Sequence, residues 1–177
     1  MTARFVLTSI GADRPGLVDE VTRFILERGG NLEDSRMVNL HGQFAMVMLI
    51  AGDEVAAGRL TTDLGELERA AGIRAELTAA TAAGRPSAAA AAIPYRLTTT
   101  AMDHPGLVQS VAHVLGRLGV NIESADTALK PAPMTGAPLF AMELVVSVPA
   151  TTRVSELRER LAEVCDDLNI DWQLTAL

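Results

Sequence analysis

Apolar positions along the chain follow two alternating rhythms. Phe5 to Ile10 is a strand-length run that ends at Gly11. Leu17, Val18, Val21, Phe24 and Ile25 then fall at helical spacing, and Gly29-Gly30 supplies a stop. Asp13 is the expected N-cap of that helix, with Pro15 in its first turn, where a missing N–H costs nothing. Leu32 to Leu40 and Gln43 to Ala51 flank His41-Gly42 and predict a hairpin. Asp53 is positioned to cap a second helix with Leu60, Leu64 and Leu67 on one face. Ile73, Ala75, Leu77 and Ala79 then alternate, as a half-buried strand requires.

The second half repeats the pattern. Leu107, Val108, Val111, Val114, Leu115 and Leu118 predict one helix, Val154, Leu157, Leu161, Val164 and Leu168 another, and Ile170, Trp172, Leu174 and Ala176 a last alternating strand. The repeat is also literal: Asp13-Arg-Pro-Gly-Leu-Val18 returns as Asp103-His-Pro-Gly-Leu-Val108, and Gly29, Asn31 and Glu33 return as Gly119, Asn121 and Glu123. Phe44-Ala-Met46 returns as Phe140-Ala-Met142 with six extra residues before it, inside the proline-rich stretch from Lys130 to Pro138. Two domains are therefore expected, over residues 1–80 and 93–177. An Ala-rich linker punctuated by Gly84 and Pro86 joins them over 81–92. Each reads βαββαβ, an α+β ferredoxin-like unit with a four-stranded antiparallel sheet and both helices on one face. That leaves the other face and the sheet edges open, and units of roughly 80 residues bury little of their surface, so each is expected to lean on a partner. Whether the pairing lies within or between chains is left open by the pattern.

Gly11-Ala-Asp-Arg-Pro-Gly-Leu-Val18, Gly29-Gly-Asn-Leu-Glu-Asp-Ser35 and Gly42-Gln-Phe-Ala-Met46, with the matching Asp103-to-Val108 and Gly119-Val-Asn-Ile-Glu123, resemble the ACT domain, a module that senses amino acids. Two such domains with nothing catalytic attached resemble the glycine cleavage system transcriptional repressor family. The resemblance implies a ligand between paired domains, held by the loop before the first helix and the start of the second strand. By position these are Asp13, Arg14, Gly16 and Asn31 in the first domain and Asp103, His104, Gly106 and Asn121 in the second. The chemistry suits an amino acid: helix N–H groups and dipole for the carboxylate, an aspartate for the ammonium, a glycine for close backbone approach, and an amide that donates and accepts. Each position also has a plainer reading. Asp-x-Pro-Gly starts helices, and Asn after a glycine serves turns. Arg14 and His104 differ, which puts two equivalent sites in question.

Composition narrows the classes. A net charge of −7 shared by both halves, a single lysine (Lys130) and 3% aromatics leave no footprint for direct nucleic-acid binding. The one cysteine, Cys165, rules out an internal disulfide or cysteine cage, suits a reducing compartment, and reads as core. No apolar run approaches bilayer length and no leader pattern follows Arg4, so a cytoplasmic protein is expected. His41, His104 and His113 lack metal-ligand spacing. Gly11 to Gly16 has phosphate-loop spacing, but Leu17-Val18 stands where Lys-Ser/Thr is required. No catalytic constellation recurs, and no cofactor or metal is implied. The expected function is a non-enzymatic amino-acid-binding regulator, with glycine as the implied ligand and a separate transcription regulator or enzyme as partner. It is expected to pair as a homo-oligomer through its ACT domains. The alternatives are a ligand-free oligomerisation module and a detached regulatory subunit of a biosynthetic enzyme. The proline-rich insertion is either a longer connection or a docking loop.

Overall fold

The structure, a computed structural model, describes residues 3–80, 92–132 and 135–177. It divides into two compact units, residues 1–84 and 85–177. In the first, β1 (Ala3–Ala12), α1 (Leu17–Glu27), β2 (Asn31–Leu40), β3 (Gln43–Gly52), α2 (Glu54–Ala71) and β4 (Ile73–Ala79) follow in order. The second repeats them as β5 (Ala92–Met102), α3 (Leu107–Arg117), β6 (Asn121–Pro131), β7 (Pro138–Pro149), α4 (Val154–Asp167) and β8 (Asp171–Ala176). The sheets run β2-β3-β1-β4 and β6-β7-β5-β8, with every neighbouring pair antiparallel. The linker assigned to 81–92 lies outside the described residues, except that Ala92 opens β5.

Strand alternation builds each core. Leu7 of β1 and Met46, Met48 and Ile50 of β3 share one face and meet Leu17, Val21 and Ile25 of α1 and Leu60 of α2. Leu97, Met142, Leu144 and Val146 meet Leu107, Val111, Leu157 and Leu161 in the second domain. Cys165 joins that core, and burial pushes its thiol up to about 11. Local signals set the ends. The Asp53 carboxylate accepts the Ala56 N–H at 2.7 Å and caps α2. His41 and Gly42, both at positive φ (50° and 78°), turn the first hairpin in two residues. Gly30 N–H returns to the Ile25 carbonyl at 3.0 Å, and Val120 N–H to Leu115 at 2.9 Å, closing α1 and α3 in the same way.

The extra residues of the second domain lengthen its central hairpin. β6 and β7 stay paired out to Pro131 opposite Pro138, and the Ala132 N–H donates to the Ala137 carbonyl at 2.8 Å. Among the described residues no helix is long and apolar enough to cross a membrane.

Candidate functional site

The helix starts differ from the expected caps. The N-cap of α1 is Gly16, at φ 87°, and that of α3 is Gly106, at φ 102°, both left-handed. Asp13 stands before the helix and caps nothing, and Pro15 precedes the first turn. Asp13 is held elsewhere: its N–H donates to the Gly42 carbonyl at 2.8 Å, and its Oδ2 accepts the Asn39 amide at 2.5 Å. Asn39 Oδ1 in turn accepts the Gly42 N–H at 3.1 Å, so the loop is fastened to the hairpin tip. No side chain caps α1 or α3, so their first-turn N–H groups have no side-chain acceptor at the positive end of each helix dipole.

Arg14 works inside its own domain. Its guanidinium donates to both Glu20 carboxylate oxygens, at 2.8 and 2.6 Å, and to the Ala71 carbonyl at 3.2 Å. One end of α1 is thereby tied to the last turn of α2, where a cation also suits the helix dipole. The hydrogen bonds to Arg14 hold the Glu20 carboxyl below the ordinary carboxylate range and raise Arg14 above its usual value. The second copy keeps the backbone bond, Asp103 N–H to the Pro138 carbonyl at 3.2 Å, but lacks both side-chain anchors. His104 replaces Arg14 and Ser110 replaces Glu20, while Leu129 replaces Asn39. The His104 Nδ1 lies 3.1 Å from the Pro105 carbonyl, and among the described residues the Asp103 carboxylate has no side-chain partner.

The register keeps the two halves of each candidate set apart. Asn31 pairs with Ala51, which pairs with Arg4, whereas the Asp13–Gly16 loop follows Ala12. At ~3.4 Å per residue, the eight residues from Arg4 to Ala12 put about 27 Å between them. Asn121 stands opposite Ser147, likewise at the far end from Asp103, and its amide donates to Glu123 at 2.8 Å. Asp13, Arg14 and Gly16 are thus brought together, as are Asp103, His104 and Gly106. Asn31 and Asn121 are not brought to the loops of their own domains. Sequence reading missed Asn39, whose contact with Asp13 spans 26 positions, and Glu20, whose replacement by Ser110 was legible in the repeat. No group of three or more His, Cys, Asp or Glu close enough to hold a metal ion occurs among the described residues.

Two βαββαβ units with glycine-led, uncapped helix starts after β1 and β5 define a class. Residues 3–78 match the ACT-domain family. It is 26% identical over 172 residues, 97% of this chain and 89% of the relative, to the glycine cleavage system transcriptional repressor of Escherichia coli (strain K12). It is also 43% identical over 63 residues, 34% of this chain and 70% of the relative, to a UPF0237 protein of Methanopyrus kandleri. Its fold matches the crystal structure of an unknown protein from Galdieria sulphuraria with a TM-score of 0.81 and 28% identity, covering 100% of this chain and 99% of that one.

Proposed function

We propose that this chain is a non-enzymatic regulator that binds a small amino acid and passes the signal to a protein partner. The observation that carries the reading is the pair of left-handed glycine N-caps with no capping side chain, in an ACT protein similar to the glycine cleavage system repressor along almost its whole length. Those N–H groups are the complement of an amino-acid carboxylate, and an aspartate three residues earlier is the complement of its ammonium. Because Asn31 and Asn121 stand at the far ends of their own sheets, a second ACT domain laid edge to edge, antiparallel, is needed to bring such an amide to a loop. The ligand site is therefore shared between paired domains.

The two loops are not equivalent. In domain 1, Asp13 and Arg14 are engaged by Asn39 and Glu20, which suits a scaffold. In domain 2 the side chains of Asp103 and His104 lack counterparts of those partners, and this loop receives the ligand. By similarity the ligand is glycine and the partner a transcription regulator, in a cytoplasmic setting. Glycine has about five heavy atoms, and at ~1.5 kcal/mol per atom even an ideal site reaches only micromolar affinity.

A thermal-shift series with each amino acid at ~10 mM tests the reading. A dissociation constant near 100 μM stabilises the fold by ~2.7 kcal/mol at that concentration, or about 7 °C for a chain of this size melting as one unit. The expected result is a rise confined to glycine and at most one close analogue, abolished by Asp103→Asn and retained in Asp13→Asn. A flat response to all amino acids overturns it.

A further inference from the structure

The two candidate amides stand in closely matched surroundings. Asn31 precedes Glu33 and Asn121 precedes Glu123, and the strands slip register at those glutamates, between Leu32 and Asp34 in β2 and between Ile122 and Ser124 in β6. The neighbouring strands correspond as well. Asn31 pairs with Ala51 and Ala51 with Arg4, while Asn121 pairs with Ser147 and Ser147 with Pro94. Amide, bulge and glutamate are thus common to both copies. The residue on the first strand is not: it is arginine in domain 1 and proline in domain 2.

That residue decides what the glutamate does. Arg4 donates to both carboxylate oxygens of Glu33, from Nε at 2.6 Å and from Nη2 at 3.2 Å, and these bonds hold the Glu33 carboxyl below the ordinary carboxylate range. The pair reaches from β1 to β2 across β3 at Ala51, which keeps only 8% of its surface exposed. With Glu33 engaged, the Asn31 side chain has no hydrogen-bond partner among the described residues. Pro94 has no side-chain donor to offer, and Glu123 accepts the Asn121 amide at 2.8 Å instead. An ion pair as exposed as this one, with 57% of the Arg4 side chain and 30% of the Glu33 side chain in solvent, adds little to stability. Its consequence is an amide left unclaimed.

We propose that Arg4 is a positioning residue: by holding Glu33 off Asn31 it makes Asn31, and not Asn121, the amide of this chain that meets the amino-acid ligand. This role rests on the ligand reading above, in which the amide comes from an ACT domain other than the one that supplies the loop. The asymmetry of the amides is the reverse of the asymmetry of the loops. Domain 2 has the loop without side-chain anchors, and domain 1 has the amide without a partner. One combination of loop and amide therefore has both parts open. In the converse combination Asp13 is taken by Asn39 and Asn121 by Glu123. A free amide offers two donors and an acceptor, whereas one bound to a carboxylate must first give up a charge-assisted bond.

The test is the glycine-induced rise in melting temperature of the full chain at ~10 mM glycine, with side-chain amide spectra of the isotope-labelled chain recorded without glycine. Arg4→Ala frees Glu33 to take Asn31 as Glu123 takes Asn121. Affinity is expected to fall about tenfold, which at this concentration cuts the rise to about half. Adding Glu33→Ala removes the competitor and restores most of the rise, although the ion pair is still absent; a merely structural role for the pair predicts no such rescue. In the spectra, Arg4→Ala displaces the Asn31 amide signals and the double variant brings them back toward the parent. Asn31→Ala loses more of the rise than Asn121→Ala. An Arg4→Ala chain with the full rise, a double variant no better than Arg4→Ala, Asn31 signals indifferent to Arg4, or a larger loss from Asn121→Ala overturns the role of Arg4 while leaving glycine binding in place. A parent chain that glycine does not stabilise overturns the proposed function instead, and with it Asn31 as a ligand contact.

Discussion

Gly106→Ala isolates the helix start of the second domain as a purely backbone effect. A Cβ built at Gly106 meets nothing within 4 Å, so no clash contributes; the whole penalty comes from φ 102°. Holding an L-residue in the left-handed region costs roughly 1–2 kcal/mol. Replacing glycine also restricts the unfolded chain, which returns ~0.4–1 kcal/mol. The net is about 1 kcal/mol of destabilisation. For a unit of this size, with a urea dependence of ~1–1.5 kcal/mol per molar, the midpoint falls by ~0.7–1 M. Trp172 makes the assay selective: it is the one tryptophan of the chain, it lies in β8, and it packs against the domain 2 core. Its fluorescence in a urea titration therefore reports the domain that carries the substitution. Gly106→Asn is expected to lose less, since asparagine tolerates the left-handed region. A Gly106→Ala midpoint within ~0.2 M of the parent, or an Asn variant weaker than the Ala variant, refutes the left-handed N-cap.

Other perturbations address separate contacts. Asp53→Ala removes the acceptor of the Ala56 N–H and is expected to cost ~1 kcal/mol, read as a lower melting temperature, with Asp53→Asn recovering most of it. Cys165, buried and with its thiol raised to about 11, should resist iodoacetamide at pH 8 in the folded protein and react at once in ~6 M urea. Glu20 titrates below an ordinary glutamate because Arg14 hydrogen-bonds its carboxylate. Its contribution is complete above the usual carboxylate range and is lost as pH falls through the depressed value. Glu20→Gln should therefore melt below the parent at pH 7 and converge with it in acid, a difference that melting curves from pH 7 to pH 3 will show.

Element order was legible because its signals are local and repeated. Period-two runs, helical spacing and glycine stops name every strand and helix, and the internal repeat reads the pattern twice. The helix starts were misread for a specific reason. Asp-x-Pro-Gly has the letters of a cap, and only the backbone reveals that Gly16 takes the left-handed turn while Asp13 is drawn to Asn39. That contact depends on hairpin register, which brings positions 13 and 39 together at the sheet's end. Strand alternation was read only as far as the core. Carried across to the partner strands, the same alternation separates the apolar open face of domain 1 from the polar one of domain 2.

The differences between the copies are coordinated. Arg14 and Glu20 form one contact and become His104 and Ser110 together; Asp13 and Asn39 form another, and Asn39 becomes Leu129 while the aspartate is kept. Loss of a partner around a retained aspartate is not what structural economy asks. A carboxylate whose only role is to fasten a loop to its hairpin has no use once the amide opposite is a leucine. Asp103, exposed before the uncapped start of α3, lacks the amide that holds Asp13, and in the proposed function a ligand ammonium takes that place. The open faces diverge as well, polar in domain 2 and apolar in domain 1. Under the proposed function, domain 1 holds shape and domain 2 answers the ligand. Exchanging the anchors tests this division directly: Leu129→Asn should fasten Asp103 as Asn39 fastens Asp13, raising the stability of domain 2 while weakening its response to glycine.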